Sequence, residues 1–194
     1  LPMQKRFISD VQFQATLLLL QERIPRITAL SAPNIHVADA GVTHKEDDAY
    51  MRVINTPQTN SPEIQLLSNG RYHVMVSNAG GGYSRWKNIA VTRWREDSTC
   101  DNWGNFCFIR DLENNEYWSS GYQPALQNGD HYEAVFSQGR AEFRRRDFAI
   151  EAHTEIVVSP EDDVELRRLH LTNRSRKKRI IEVTSYAEVV LAPV

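Results

Sequence analysis

The chain has 194 residues, and its 41% hydrophobic and 25% charged residues are typical of a folded globular domain and exclude a disordered tail. The formal net charge of −2 gives no general attraction to nucleic acid or to acidic membrane surfaces. The apolar run at residues 17–20 is far too short to cross a bilayer, so we predict no membrane insertion. Because Leu1 is not an initiator Met and Val194 directly follows a strand-like pattern, we expect a piece of a longer polypeptide.

The first part of the chain predicts one helix and then an irregular connector. Pro2 suits a first helical turn, an apolar stripe follows at helical spacing, and Pro25 ends the pattern. The stripe consists of Met3, Phe7, Val11, Ala15 and Leu18. The chain is accordingly divided into an N-terminal helix and linker at residues 1–30, an irregular connector at 31–62 and a β-sandwich at 63–194.

Strand patterns dominate from residue 63 onward. Residues 64–67 and 72–76 flank Ser68-Asn69-Gly70, a strong signal for a hairpin with a type I′ turn. Residues 150–158 alternate between apolar and polar, as in a half-buried antiparallel strand, and residues 181–189 repeat the pattern. Further strands are predicted near residues 50–54, 88–94, 104–110, 115–119, 131–137, 140–147, 164–172 and 180–191. The predicted fold is therefore mainly all-β, an antiparallel β-sandwich with one N-terminal helix, incomplete at its C-terminus.

A run of three glycines, Gly80-Gly81-Gly82, follows one predicted strand. Glycine allows a backbone path closed to other residues and the close approach of a ligand or of another chain segment. No Gly-Lys-Ser/Thr follows the run, so it is not a phosphate-binding loop. A wide turn or bulge explains the run as well as a binding role does. On the binding interpretation, we expect Gly81→Val to leave the sandwich folded.

Aromatic and planar polar residues are concentrated between residues 83 and 103. Sugar recognition uses an aromatic face for the C–H side of the ring and planar polar groups for the hydroxyls. A carbohydrate site is predicted from Gly81, Gly82, Tyr83, Ser84, Arg85, Trp86, Arg93, Asp97, Asn102 and Trp103. The alternative for any single member is a core tryptophan or a surface ion pair. We expect the Trp103 indole to be exposed in a turn.

Other reactive residue types do not assemble into a catalytic or metal-binding pattern. The acidic pairs and clusters are glycosidase candidates only by residue type, because sequence spacing cannot set the gap between two carboxyl groups. The six histidines are not spaced as metal ligands. We therefore predict no catalytic residue, no metal and no cofactor in this chain, and we expect Cys100 and Cys107 to be reduced thiols.

Several strings of residues together carry a family resemblance. They lie at residues 68–72, 78–85, 89–97, 101–104, 157–163 and 182–191. Across residues 60–192 the chain resembles the cyclic β-1,2-glucan synthases, in the sandwich module of their cellobiose-phosphorylase-like or "glycosyltransferase family 36" region. The Gly-Gly-Gly-Tyr-Ser string is similar to that of the cellobiose and chitobiose phosphorylases, whereas Trp-Arg-Glu-Asp and Asp-Asn-Trp-Gly are more specific to the synthases.

The resemblance implies a mutarotase-like supersandwich that works beside an (α/α)6 catalytic domain of the same polypeptide. The catalytic acid would belong to that domain, so the chain itself is expected to be inactive. Its implied role is a non-catalytic module that binds β-glucan oligosaccharide or shapes the active site, and a homodimer is compatible with this role. The parent enzyme would lie at the cytoplasmic side of the bacterial inner membrane. The alternatives are a purely structural scaffold without sugar contact and a free-standing enzyme.

Overall fold

The computed structural model describes residues 51–95, 97 and 100–193. The predicted helix and most of the predicted connector lie outside the described residues, and the three-part division of the chain stays a prediction. No helix of membrane-spanning length and hydropathy occurs in the part of the chain that the structure describes.

The described residues form thirteen β-strands in succession. In chain order they are β1 (Arg52–Ile54), β2 (Ile64–Ser68), β3 (Tyr72–Ser77), β4 (Gly82–Trp86), β5 (Ile89–Thr92), β6 (Phe106–Asp111), β7 (Glu116–Ser119), β8 (His131–Ser137), β9 (Arg140–Asp147), β10 (Ile150–Val158), β11 (Glu165–Asn173), β12 (Ile181–Tyr186) and β13 (Val189–Pro193).

The strands pair into three antiparallel sheets. Sheet I has the order β1-β8-β9-β10-β11, sheet II the order β12-β6-β7, and sheet III the order β13-β5-β4-β3-β2. Sheet I holds the longest strands, and its central strand β9 pairs along nearly its whole length with β8 and β10. The prediction of an antiparallel sandwich is confirmed.

One face of sheet I forms the hydrophobic core. At one end Phe143 and Ile156 of sheet I pack in a buried cluster with Val74 of sheet III. At the other end Ile150 of sheet I packs in a second cluster with Trp118 of sheet II. Alternate residues of a strand point to the same side, so the inward residues of β10 contribute to both clusters. Sheet I therefore covers both of the other sheets.

A buried ion pair lies among these apolar residues. Arg145 is 1% exposed and Asp147 is 4% exposed, and two of the guanidinium nitrogens lie 2.7 and 2.6 Å from the two carboxylate oxygens. Arg145 also donates to the backbone carbonyl of Gly121 and, at 3.2 Å, to that of Gln127. Loss of one partner would leave an unpaired buried charge, which proteins tolerate poorly. The pair fixes the segment after β7 against β9.

A buried tyrosine makes a second polar connection between the sheets. The Tyr132 hydroxyl of β8 donates to the backbone carbonyl of Asn78 at 2.5 Å. Burial raises the pKa of Tyr132 well above its usual value. The phenol therefore stays protonated and keeps donating to the turn that precedes the glycine run.

The predicted Asn-Gly hairpin is present, but its turn is not of type I′. Of its two central residues, only Gly70 has a positive φ, of 89°. The Asn69 side-chain oxygen instead accepts from the backbone N–H groups of Arg71 and Tyr72, at 3.0 and 2.8 Å. Asparagine commonly replaces a backbone turn in this way. The hairpin prediction is confirmed and the turn type was wrong.

Two strand predictions need correction. The glycine run was interpreted as either a turn or bulge or a binding loop and no strand was predicted from it, yet Gly82 already begins β4, although glycine is depleted in strands. The single strand predicted at 180–191 is two strands, because β12 pairs with β6 in sheet II whereas β13 pairs with β5 in sheet III. The alternation in β12 does not produce a buried face: Ile181 is half-buried and the rest of the strand is exposed.

Truncation of the core tryptophan should be strongly destabilising. Trp118 is fully buried, so Trp118→Ala should lower the free energy of unfolding by about 3–5 kcal/mol. Tyr117→Ala is the matched control. Tyr117 is the neighbouring residue and its side chain is 52% exposed, so its truncation should lower the free energy of unfolding by at most about 0.5 kcal/mol. Urea denaturation of both variants measures the difference, and equal losses would contradict the assignment of this core.

Candidate functional site

Another segment of the same chain, residues 101–103, packs so closely against the glycine run that larger residues would not fit there. The Gly82 N–H donates to the Trp103 carbonyl at 2.7 Å. A Cβ added to Gly81 would lie 2.3 Å from the backbone oxygen of Asp101. Because that neighbour is backbone, it cannot move aside cheaply. This contact explains Gly81 without a ligand and indicates that a larger residue there strains the fold. The expectation that Gly81→Val leaves the sandwich folded stays a prediction.

The segment that approaches the glycines is held by side chains as well. The Asp101 carboxylate accepts from the Ser77 hydroxyl at 3.0 Å and from the Gln123 amide at 2.5 Å. Trp103 is half-buried, and the Arg93 guanidinium lies 5.8 Å from the centre of its ring. The expected exposed indole is therefore packed on one side, and only part of its surface faces solvent.

This segment forms one wall of a cavity of about 610 Å³, which we call the Trp103 pocket. Its lining comes from four parts of the chain: the residue after β5, the segment before β6 together with β6 itself, the loop after β7, and the end of β12 with the residues after it. The lining residues are Arg93, Cys100, Asp101, Asn102, Trp103, Gly104, Phe106, Phe108, Gln123, Pro124, Leu126, Tyr186 and Glu188.

The polar groups of the pocket are connected to one another. Arg93 Nε lies 2.9 Å from a carboxylate oxygen of Glu188, and the Tyr186 hydroxyl donates to the other oxygen at 2.7 Å. This hydrogen bond to a carboxylate raises the pKa of Tyr186. The guanidinium and the carboxylate are thus aligned beside the indole, and the amide of Asn102 is exposed at the rim. Such a set of planar polar groups can donate to and accept from neighbouring hydroxyls.

The structure brings together only three of the predicted sugar-binding side chains, Arg93, Asn102 and Trp103. Asp97 lines a smaller cavity of about 200 Å³, to which Asp101 also contributes. Gly81 and Gly82 support the pocket wall through backbone contacts alone.

The side chains of β4 face away from the Trp103 pocket. Ser84 is buried, and its hydroxyl donates to Glu165 at 2.5 Å. The Trp86 indole N–H donates to Asp163 at 2.7 Å. Because successive residues of a strand point to opposite sides, the other two occupy the far face of sheet III. They are Tyr83, whose ring lies 5.4 Å from that of Trp94, and Arg85, which donates to the Lys87 carbonyl.

Most of the pocket lining was missed in the sequence. Tyr186 and Glu188 are separated from Trp103 by more than eighty residues of sequence, and no spacing rule connects them. Gln123 and Pro124 lie in a loop that carried no motif. An aromatic residue in an exposed strand is the single signal that could have drawn attention to Tyr186.

The outer face of sheet I carries a His and two carboxylates that are close enough to share an ion. The ligand atoms of Glu142, His153 and Glu155 lie within 4.8 Å of one another. Each carboxylate is already engaged by arginine: Glu142 by Arg140 at 2.8 Å and Arg144 at 3.0 Å, and Glu155 by Arg140 and Arg168. Guanidinium groups at these positions repel a cation, so the cluster is best explained as an ion-pair network.

The fold and the pocket define a β-supersandwich domain. Residues 47–194 match the model of the family described as "Glycosyl hydrolase 94, supersandwich domain", and the chain belongs to this family. The resemblance found in the sequence is thereby confirmed.

Three relatives illustrate the range of the family. The chain is 37% identical over 191 residues to the cyclic beta-(1,2)-glucan synthase NdvB of Rhizobium meliloti (strain 1021), which covers 96% of this chain and 7% of the relative. It is 28% identical over 148 residues to an N,N'-diacetylchitobiose phosphorylase of Vibrio furnissii, covering 74% of this chain and 18% of the relative. It is 29% identical over 157 residues to a solabiose phosphorylase of Paenibacillus borealis, covering 78% of this chain and 20% of the relative. The chain thus spans a fifth or less of the length of each.

Substitution of Gly81 should loosen the wall of the Trp103 pocket. Gly81→Ala should lower the free energy of unfolding by about 1–3 kcal/mol, because the new methyl group overlaps the backbone of Asp101. It should also speed hydrogen exchange of the Gly82 amide, whose bond to Trp103 would be disturbed. In the control, Gly139→Ala, the new methyl group has no neighbour within 4 Å and only the positive φ of 73° is strained. Unchanged exchange at Gly82 would contradict this account.

The Glu142 network should make stability depend on pH. Burial raises the pKa of Glu142, but hydrogen bonds from His153 and Arg144 outweigh it and hold the pKa below the usual 4.5. A lowered folded-state pKa contributes stability above the unfolded-state value and loses it as the pH falls. Glu142→Gln should therefore destabilise the protein at pH ~7 and by less near pH ~3, because the contribution of the ionised carboxylate is lost as the pH falls through its lowered pKa. Urea denaturation at the two pH values measures the difference in the free energy of unfolding between the wild type and the variant. A difference that does not change with pH would refute this role of Glu142.

Proposed function

We propose that this domain is a non-catalytic carbohydrate-binding module that holds a β-glucan oligosaccharide in the Trp103 pocket. One observation carries the proposal: a partly exposed indole lies beside a paired guanidinium and carboxylate in a cavity of about 610 Å³. That volume is within the range of about 300–1,000 Å³ found for small-molecule sites.

The pocket chemistry suits a neutral, hydroxyl-rich ring. The Trp103 face and the neighbouring Phe106 offer apolar surface to the C–H side of a sugar. Arg93 and Glu188 offer donors and acceptors that are already aligned by their mutual contact, so little side-chain entropy is lost on binding. Asn102 adds an amide that both donates and accepts at the rim.

The carboxylates of the pocket have structural partners that explain their presence. Asp101 supports the Trp103 segment through Ser77 and Gln123, and Glu188 pairs with Arg93 and Tyr186. We therefore assign no hydrolytic role to them. In our proposal the chemistry belongs to an (α/α)6 catalytic domain of the same polypeptide, with this domain shaping the sugar path beside it.

The relatives supply the wider context of the proposal. These relatives are a glucan synthase and sugar phosphorylases. The proposed parent is accordingly an enzyme that makes cyclic β-1,2-glucan at the cytoplasmic side of a bacterial inner membrane. A homodimer is compatible with this arrangement.

A purely structural role is the second candidate, favoured by the exposed apolar residues of β12 and β13. Val183, Val189 and Leu191 are 48%, 65% and 67% exposed. Such a strip suits docking against another protein surface. On this alternative, the strip packs on the catalytic domain and the Trp103 pocket binds no sugar.

Removal of the indole should weaken sugar binding more than it weakens the fold. Trp103→Ala should reduce the affinity for β-1,2-glucooligosaccharides about tenfold or more, equivalent to ~1.4 kcal/mol, because the stacking surface is lost. Tyr117→Ala, an exposed aromatic outside the pocket, is the control. Isothermal titration gives the affinity and thermal melting gives the stability. An absence of heat with the unaltered protein would favour the structural alternative, whereas equal affinity in the Trp103 variant would remove the pocket from the site.

A further inference from the structure

A second cavity lies directly beside the Trp103 pocket. It has a volume of about 470 Å³, and we call it the Thr154 pocket. Its walls come from β10 and β11 of sheet I and from β6 and β12 of sheet II. Phe106 and Tyr186 line both cavities, so the two pockets share a wall. Tyr186 is 47% exposed, which leaves the boundary between the pockets accessible from solvent.

Two buried polar atoms in this second cavity have no partner. They are the hydroxyl oxygen of Thr154 and the side-chain oxygen of Asn105, and both residues line the pocket. Thr154 is only 6% exposed. A buried oxygen without a hydrogen bond is unfavourable, and most proteins avoid it. Both atoms accept hydrogen bonds, so a molecule that supplies donors at this depth would satisfy them.

The charges of the pocket are balanced. Glu165 accepts from the Ser84 hydroxyl at 2.5 Å and is paired with Arg167. Arg167 in turn donates to the Asn105 carbonyl at 2.7 Å. The second carboxylate of the lining, Asp163, is paired with Arg71 at 3.0 Å. With both carboxylates and the guanidinium already paired, neither a metal cation nor a phosphate gains an uncompensated opposite charge here. The remaining lining includes the apolar side chains of Leu169 and Val164. The pocket therefore fits an uncharged molecule with hydroxyl donors and an apolar face.

We propose that the Thr154 pocket is a second sugar subsite, continuous with the Trp103 pocket across Phe106 and Tyr186. This inference rests on the proposed function and deepens it. A glucan chain whose one end occupies the Trp103 pocket passes Tyr186 and places a further unit against Thr154 and Asn105. The domain then distinguishes oligosaccharides by length, because a short chain fills one pocket and a longer chain fills both.

The two cysteines report on the two pockets separately. Cys100 lines the Trp103 pocket and not the Thr154 pocket, whereas Cys107 lines only the Thr154 pocket of the two. Both are free thiols. Cys100 is exposed, whereas burial raises the pKa of the half-buried Cys107, so Cys107 reacts more slowly. The variants Cys107→Ser and Cys100→Ser each leave one reporter.

The test measures alkylation of each single-cysteine protein by N-ethylmaleimide, with β-1,2-linked disaccharide, trisaccharide and longer glucooligosaccharides present. At a sugar concentration of about ten times the Kd, the alkylation of a covered thiol should slow about tenfold. We expect the disaccharide to protect Cys100 alone and the longer chains to protect both cysteines. Thr154→Val, which replaces the unpartnered hydroxyl by a methyl of similar size, should abolish the protection of Cys107 and leave that of Cys100 unchanged.

The outcomes separate this inference from the proposed function. Protection of Cys100 at every length without protection of Cys107 overturns the second subsite and leaves the Trp103 pocket as the binding site. Protection of neither thiol overturns both. Asn105→Ala provides a second variant, whose expected loss of Cys107 protection does not depend on the folding of the Thr154 variant. Retained Cys107 protection in both variants would likewise overturn the assignment of these two oxygens as sugar acceptors.

Discussion

The inner face of sheet I is the surface on which the rest of the domain depends. Its alternating strands present apolar residues to sheet III at one end and to sheet II at the other, so a single sheet buries two separate cores. The buried Arg145–Asp147 pair and the Tyr132 hydroxyl add polar contacts whose loss would leave unpaired groups in the interior. Together these constraints hold the loops that meet above the sheets.

The candidate binding surface arises where those loops and sheet edges meet. The chain crosses from sheet II to sheet III between β12 and β13, which places Tyr186 and Glu188 opposite the segment before β6. That segment is itself held by the glycine run and by Asp101. The close packing that glycine allows at Gly81 and Gly82 therefore sets the position of the Trp103 indole, although the glycine run itself does not line the pocket.

Packing also explains why residues adjacent in sequence do not act together. The alternation of β4 sends Ser84 and Trp86 into contacts with Glu165 and Asp163, and it sends Tyr83 to the opposite face. A cluster that is dense in the sequence is therefore divided between the two sides of a sheet. Aromatic and charged composition drew attention to this region, but the direction of each side chain depends on strand register. The register of β4 begins at Gly82, a residue type that is depleted in strands.

The sequence by itself determined the class of the fold, most of the strands and the family, because period-two alternation and turn residues are local signals and the shared strings are long. Three of the candidates that it proposed by residue type, Arg93, Asn102 and Trp103, line one cavity. The tertiary structure alone decided that Tyr186, Glu188 and Gln123 complete the pocket and that one alternating segment divides between two sheets. It alone also left the Thr154 hydroxyl and the Asn105 side-chain oxygen without hydrogen-bond partners beside that pocket. Those facts depend on contacts between segments far apart in the chain, which no local pattern encodes.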